Sequence, residues 1–106
     1  MTPDQPTLER FLVDLATDAG VDAPRPAGPA TEFARRSRLF AVAAGNAAEF
    51  RLDAEIADAA LRTPSTAPST RGPDWVRLVV SQPTSTDFDR ARAWFLSASR
   101  NAGRRA

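Results

Sequence analysis

Asp74-Trp75-Val76-Arg77-Leu78-Val79-Val80 sets Val76, Leu78 and Val80 against Trp75, Arg77 and Val79. That period of two belongs to a strand with one buried and one wet face. Beyond the turn residues Ser81-Gln82-Pro83-Thr84 the period lengthens to that of a helix over 86–98. Phe88, Ala91, Phe95 and Ala98 share one side, with Trp94 at its border. Asp87 and Asp89 in the first turn and Arg100 near the end complement the helix dipole, and Gly103 is placed to stop the helix. A lone strand feeding a helix is not a fold, so the residues upstream must supply its partners.

Three extended pieces do so, at 31–36, 38–44 and 47–52. Gly45-Asn46 separates the second from the third and suits a tight hairpin, because both residues tolerate positive φ. Ala48, Phe50 and Leu52 alternate with Ala47, Glu49 and Arg51, again one face buried and one wet. Further upstream Leu8, Phe11, Leu12 and Leu15 fall at i, i+3, i+4 and i+7, an amphipathic helix that Gly20 terminates. Asp53 is a suitable N-cap for a short helix over 54–62, carrying Ile56, Ala57, Ala60 and Leu61 on one stripe. Asp22–Ala30, with three prolines and a glycine, reads as an irregular exposed connector, and Thr63–Pro73 as a loop of Pro, Ser and Thr.

The expected architecture is therefore one α+β domain spanning 1–106. Residues 1–30 form the first helix and connector, 31–101 the sheet and remaining helices, and 102–106 a tail. The antiparallel sheet is expected to carry the first and last helices on one face, with the short helix at its side.

Composition agrees with a globular chain: 42% hydrophobic and 25% charged residues over 106 positions, with a formal net charge of +1. A chain of this length buries about 65% of its unfolded surface, enough for one core without metal or disulfide. Every basic residue is arginine, a bias that matches a bacterial high-GC genome. Charge is uneven: Asp4, Glu9, Asp14, Asp18 and Asp22 make the first segment acidic. Arg35, Arg36, Arg38, Arg71, Arg77, Arg90, Arg92, Arg100, Arg104 and Arg105 weight the remainder towards positive.

Histidine, cysteine and tyrosine are all absent, which removes the commonest general base, the thiolate nucleophile and the phenol. The hydroxyls of Ser65–Thr70 and Thr84–Thr86 have no base beside them, and the five glycines match neither a dinucleotide fingerprint nor a phosphate loop. Asp14, Asp18 and Asp22 at i, i+4 and i+8 make a poor cation site, better read as a solvated helix face. The expectation is a protein that is not an enzyme and holds no cofactor or metal. The start Met1–Pro6 lacks the pattern of a signal peptide, and no run approaches the about 18 apolar residues of a membrane span. A cytoplasmic protein with no membrane partner is expected.

Several blocks carry a family resemblance. They are Arg38-Leu39-Phe40-Ala41-Val42, Phe50-Arg51-Leu52 leading into Asp53-Ala54-Glu55-Ile56-Ala57, the 68–72 loop before Trp75-Val76, and the closing helix from Arg90 to Ser97. In this order they resemble the MmcQ/YjbR-like family, small proteins with a frataxin-like (CyaY-like) α/β layout grouped under a "double-wing" DNA-binding motif. The strand over 31–36 departs from the pattern, lacking a tryptophan that members often carry nearby. The resemblance implies a binding protein, with DNA as the first candidate ligand.

The residues themselves offer a surface for that role. With Ala48, Phe50, Val76 and Leu78 facing the helices, Arg51 and Arg77 project from the opposite face beside Trp75, Arg38 joins from the neighbouring strand, and Arg71 stands in the adjacent loop. Arginines beside an aromatic suit phosphate and base contacts. The plainer reading pairs these arginines with Glu32 and Glu49 across strands. A third uses an exposed Trp75 with Arg71, Arg77 and the 63–73 loop to dock another protein.

Overall fold

The computed structural model describes residues 6–104; Met1–Gln5, with Asp4, and the Arg105-Ala106 end lie outside the described residues. Thr7 opens the first helix, α1 (Leu8–Asp18), its hydroxyl accepting the Arg10 N–H at 3.1 Å. Leu8, Leu12 and Ala16 turn inward on the predicted stripe. The chain then folds as β1 (Arg25–Ala27), β2 (Ala30–Arg35), β3 (Arg38–Ala44), β4 (Ala47–Arg51), α2 (Ala54–Leu61), β5 (Thr66–Pro68), β6 (Trp75–Val79) and α3 (Ser85–Arg104). One sheet takes all six strands in the order β1-β2-β3-β4-β6-β5, each neighbouring pair antiparallel. This is the expected single α+β domain, and no helix among the described residues is long and apolar enough to cross a membrane.

The core lies between the sheet and the helices. Phe33, Phe40, Phe50, Val76 and Leu78 from the strands meet Leu8 and Leu12 of α1, Ala57 and Ala60 of α2, and Ala91, Phe95 and Ala98 of α3. Phe95 stands at its centre, edge-on to Phe33 at 5.2 Å and to Phe40 at 5.1 Å between ring centroids. Such tilted pairs add about 0.5–1.5 kcal/mol beyond the area they bury. The start of α1 is fastened to the β3–β4 turn. Leu8 N–H donates to Asn46 Oδ1 at 3.0 Å, Glu9 N–H to the Gly45 carbonyl at 2.9 Å, and Gly45 N–H back to Glu9 Oε1 at 3.2 Å. Two orphan donors of the helix end are satisfied by a hairpin turn whose Gly45 has φ of 57°.

Two segments read as irregular contain strands. The 22–30 connector holds β1, folded on β2 through a turn at Gly28, and the 63–73 loop holds β5, paired with β6. Proline is compatible with both because they are the outermost strands, where Pro26 and Pro68 occupy positions whose N–H the ladder does not need. Two further differences concern helix ends. Asp53 precedes α2 but makes no side-chain cap bond, and its Oδ2 accepts instead from Arg104 Nη2 at 3.1 Å. Gly103 lies inside α3 and does not stop it; a Cβ there would stand 2.9 Å from the Arg35 guanidinium carbon, so the glycine serves a close approach.

Candidate functional site

Register fixes what the helix-free face of the sheet presents. Arg25, Glu32, Val42, Glu49, Arg77 and Ala67 are successive Cα partners across all six strands, forming one row. Arg51 and Trp75 are partners in the next row. The Arg25 guanidinium reaches Glu32 at 3.1 Å, and Val42 in the middle is buried.

The β5–β6 loop folds back over this face. Ser69 donates its hydroxyl hydrogen to Glu49 Oε2, Arg71 Nε donates to Glu49 Oε1 at 3.2 Å, and Arg71 N–H donates to Ser69 Oγ at 3.1 Å. The Arg71 guanidinium lies 5.7 Å from the centroid of the Trp75 ring, within cation–π reach. Arg51 Nε donates to Asp74 Oδ2 at 2.9 Å. The loop thus straps down the tryptophan, which is only 8% exposed. Trp75 is not the exposed anchor that the docking reading required. Arg77 is the exception: it is exposed and has no ion pair among the described residues.

Arg38 is not on this face at all. Phe33 pairs with Ala41 but Ala34 with Leu39, so Phe40 is an extra residue in β3. A bulge of this kind inverts the alternation beyond it. Ala41 and Ala43 face the helices, yet so do Phe40 and Arg38. Arg38 Nη1 approaches the Ala102 carbonyl at 3.5 Å, and across the turn Arg35 Nη1 approaches the Ser99 carbonyl at 3.4 Å. Ala102 belongs to the last turn of α3, where the helix dipole and orphan acceptors both favour a cation, and Ser99 to the turn before it. Arg35 and Arg38 are themselves Cα partners, a like-charge pair that would cost stability without that acceptor.

Antiparallel topology brings further arginines to the same end. The β2–β3 turn is Arg36-Ser37, with φ of 52° and 67°, held by the Asp22 carboxylate, which accepts the two N–H groups at 3.1 and 2.8 Å. Asp22 is therefore a turn clamp beyond α1, apart from Asp14 and Asp18 on the helix, where Asp14 pairs with Arg10 at 3.5 Å on an exposed face. Arg36 and Arg100 are exposed, without an ion pair among the described residues. Arg35, Arg36, Arg38 and Arg100 make this a basic end, whose one carboxylate described above, Asp22, is bound to the turn backbone. Between Arg38, Arg51 and Asn101 a recess has room for about one water-sized group, so a ligand would lie on this end and not inside it.

No protein-family model, curated protein or solved structure matches this chain.

The MmcQ/YjbR-like resemblance accordingly rests on the short motifs quoted above. Of the five residues singled out from sequence, Arg51, Arg71, Trp75 and Arg77 come together on or over the open face, whereas Arg38 belongs to the basic end. Arg35, Arg36 and Arg100 were not singled out. The signal for the first two is the pattern Arg35-Arg36-Ser37-Arg38, which sets two arginines opposite one another across a tight turn and so demands a nearby acceptor; the sequence holds no comparable signal for Arg100.

Proposed function

We propose that this protein acts by binding and not by catalysis, and that its ligand is a polyanion, DNA first, engaged at the basic end by Arg36, Arg100, Arg35 and Arg38. The observation that carries the reading is the contrast in how the arginines are held. On the open face Arg25, Arg51 and Arg71 are each matched by a carboxylate. At the basic end the Arg35 and Arg38 guanidinium groups meet helix carbonyls and, like those of Arg36 and Arg100, form no ion pair among the described residues, the Asp22 carboxylate there being taken up by the Arg36 and Ser37 N–H groups. The MmcQ/YjbR-like resemblance supports the same ligand class, and a cytoplasmic location goes with it. The absence of His, Cys and Tyr favours binding over catalysis.

The test is fluorescence anisotropy of a labelled random duplex at low and physiological salt. Affinity should fall with salt, with a log–log slope of about −2 to −4 for two to four phosphate contacts. Arg36→Ala/Arg100→Ala should reduce that slope by about 2, and Arg51→Ala/Arg77→Ala should change it little. No binding at low salt would end the DNA reading; loss only in the second variant would return the site to the open face.

A protein partner on the open face is the second reading. What favours it is an apolar strip along one end of that face, where Val79 is 48% exposed and is the Cα partner of Ala47. With Trp75 covered, this strip and Arg77 would be the contact, not the tryptophan and the 63–73 loop.

A further inference from the structure

A different surface has a different chemistry. The helices α2 and α3 lie side by side without filling the space between them, leaving an open groove of about 550 Å³. Its floor is apolar: Ile56, Ala59 and Ala60 from α2 face Ala93 and Trp94 from α3. The alanines are the reason the groove exists, since larger side chains at those positions would close it. Trp94 forms part of the wall, its ring edge-on to Phe50 at 6.1 Å, so a ligand in the groove would touch an aromatic tied to the core.

The walls are acidic. Glu55 on α2 and Asp89 on α3 are exposed and have no hydrogen bond or ion pair among the described residues. The one cation of the lining, Arg90, is turned to Asp87 at 3.9 Å. An apolar trough of this size accommodates one or two large aliphatic or aromatic side chains. Two free carboxylates on its opposite walls would pair with cations flanking them and would repel a nucleic acid. A second copy of this chain is a poorer occupant: of its exposed large apolar residues, Leu61 lies beside an Asp58–Arg62 ion pair, and Val79, although it shares a face with the unpaired Arg77, lies on a strand inside the sheet and is no part of an amphipathic helix.

We propose that the α2/α3 groove docks a basic amphipathic peptide segment of a partner protein, its apolar side chains on Ala59, Ala93 and Trp94 and its cations against Glu55 and Asp89. The groove is separate from the basic end, so this inference stands whether or not DNA binds there.

The probe is a fluorescein-labelled peptide of about 14 residues, with leucine at i, i+3, i+4 and i+7 and lysine elsewhere, compared with its glutamate counterpart. Anisotropy gives affinity, and the two indole N–H resonances of the protein report location. The lysine peptide should bind and shift the Trp94 resonance while leaving Trp75 in place, and the glutamate peptide should not bind. Glu55→Gln/Asp89→Asn should weaken binding about fivefold, the worth of two exposed ion pairs. Ala93→Gln, at an exposed position, should abolish binding with the circular dichroism unchanged. Asp14→Asn/Asp18→Asn, which removes acidic charge elsewhere, should leave affinity as it was. Failure to bind at millimolar peptide, equal binding of both peptides, or a shift confined to Trp75 would overturn the proposal. So would self-association abolished by Ala93→Gln, which would make the occupant a second copy.

Discussion

The two faces of the sheet are built from the same strands and stabilised by different means. On the helix side Phe33, Phe40, Phe50, Val76 and Leu78 are fully buried against three helices, and the contacts are carbon on carbon. On the other side no helix arrives, yet Val42 and Trp75 are still nearly covered. There the cover consists of long charged side chains and one strap, Ser69 to Asp74, tied to Glu49 and Arg51. Burial on the first face follows from apolar area removed from water; on the second it depends on directed polar contacts that hold a hydrocarbon surface shut. The second face is therefore the one that salt and single charge changes can loosen.

That contrast can be broken or refined by substitution. The largest effect is expected from Phe95→Ala, which removes the ring shared by Phe33 and Phe40 and should cost about 3–5 kcal/mol in urea unfolding. A loss under about 1 kcal/mol would mean that the helix side is not the tightly packed one. Trp75→Ala, on the face without helices, should still cost about 2–4 kcal/mol because the ring is buried beneath Arg71; a neutral result would show that the strap encloses nothing of consequence. Glu49→Gln should cost about 1 kcal/mol by weakening the bonds to Ser69 and Arg71, and should raise acrylamide quenching of Trp75 in a Trp94→Phe background. Unchanged quenching would separate the strap from Glu49. Arg77→Ala, an exposed residue in the same row as Glu49, should stay within about 0.5 kcal/mol of the parent.

Much of this fold was legible from periodicity. The alternation in 47–52 and 75–80 and the stripe through Leu8, Phe11, Leu12 and Leu15 each correspond to an element with the expected face inward, because burial on one side imposes the repeat that betrays it. What alternation could not reveal is a change of phase. Counting by twos from Val42 through Phe40 assigns Arg38 to the open face; the extra residue at Phe40 reverses the count, and only pairing with β2 exposes it. The edge strands were hidden for a different reason: three residues containing a proline show no periodicity, and their pairing is set by turns at Gly28 and by the approach to β6. The candidate site was legible in its residue types but not in its partners. Sequence shows Arg51, Arg71 and Trp75; it does not show Asp74 and Glu49 turned to neutralise the first two and, with the loop, cover the third.

Both outer strands end the sheet with a residue that cannot donate. Pro26 at one margin and Pro68 at the other deny an incoming chain the regular run of amide hydrogens that strand addition needs. Extension of the sheet into a fibre or a continuous sheet with another molecule is thereby disfavoured at both margins. A molecule docking on this sheet would therefore meet side chains and not an open backbone edge, and a single substitution could change that contact without disturbing the backbone ladder.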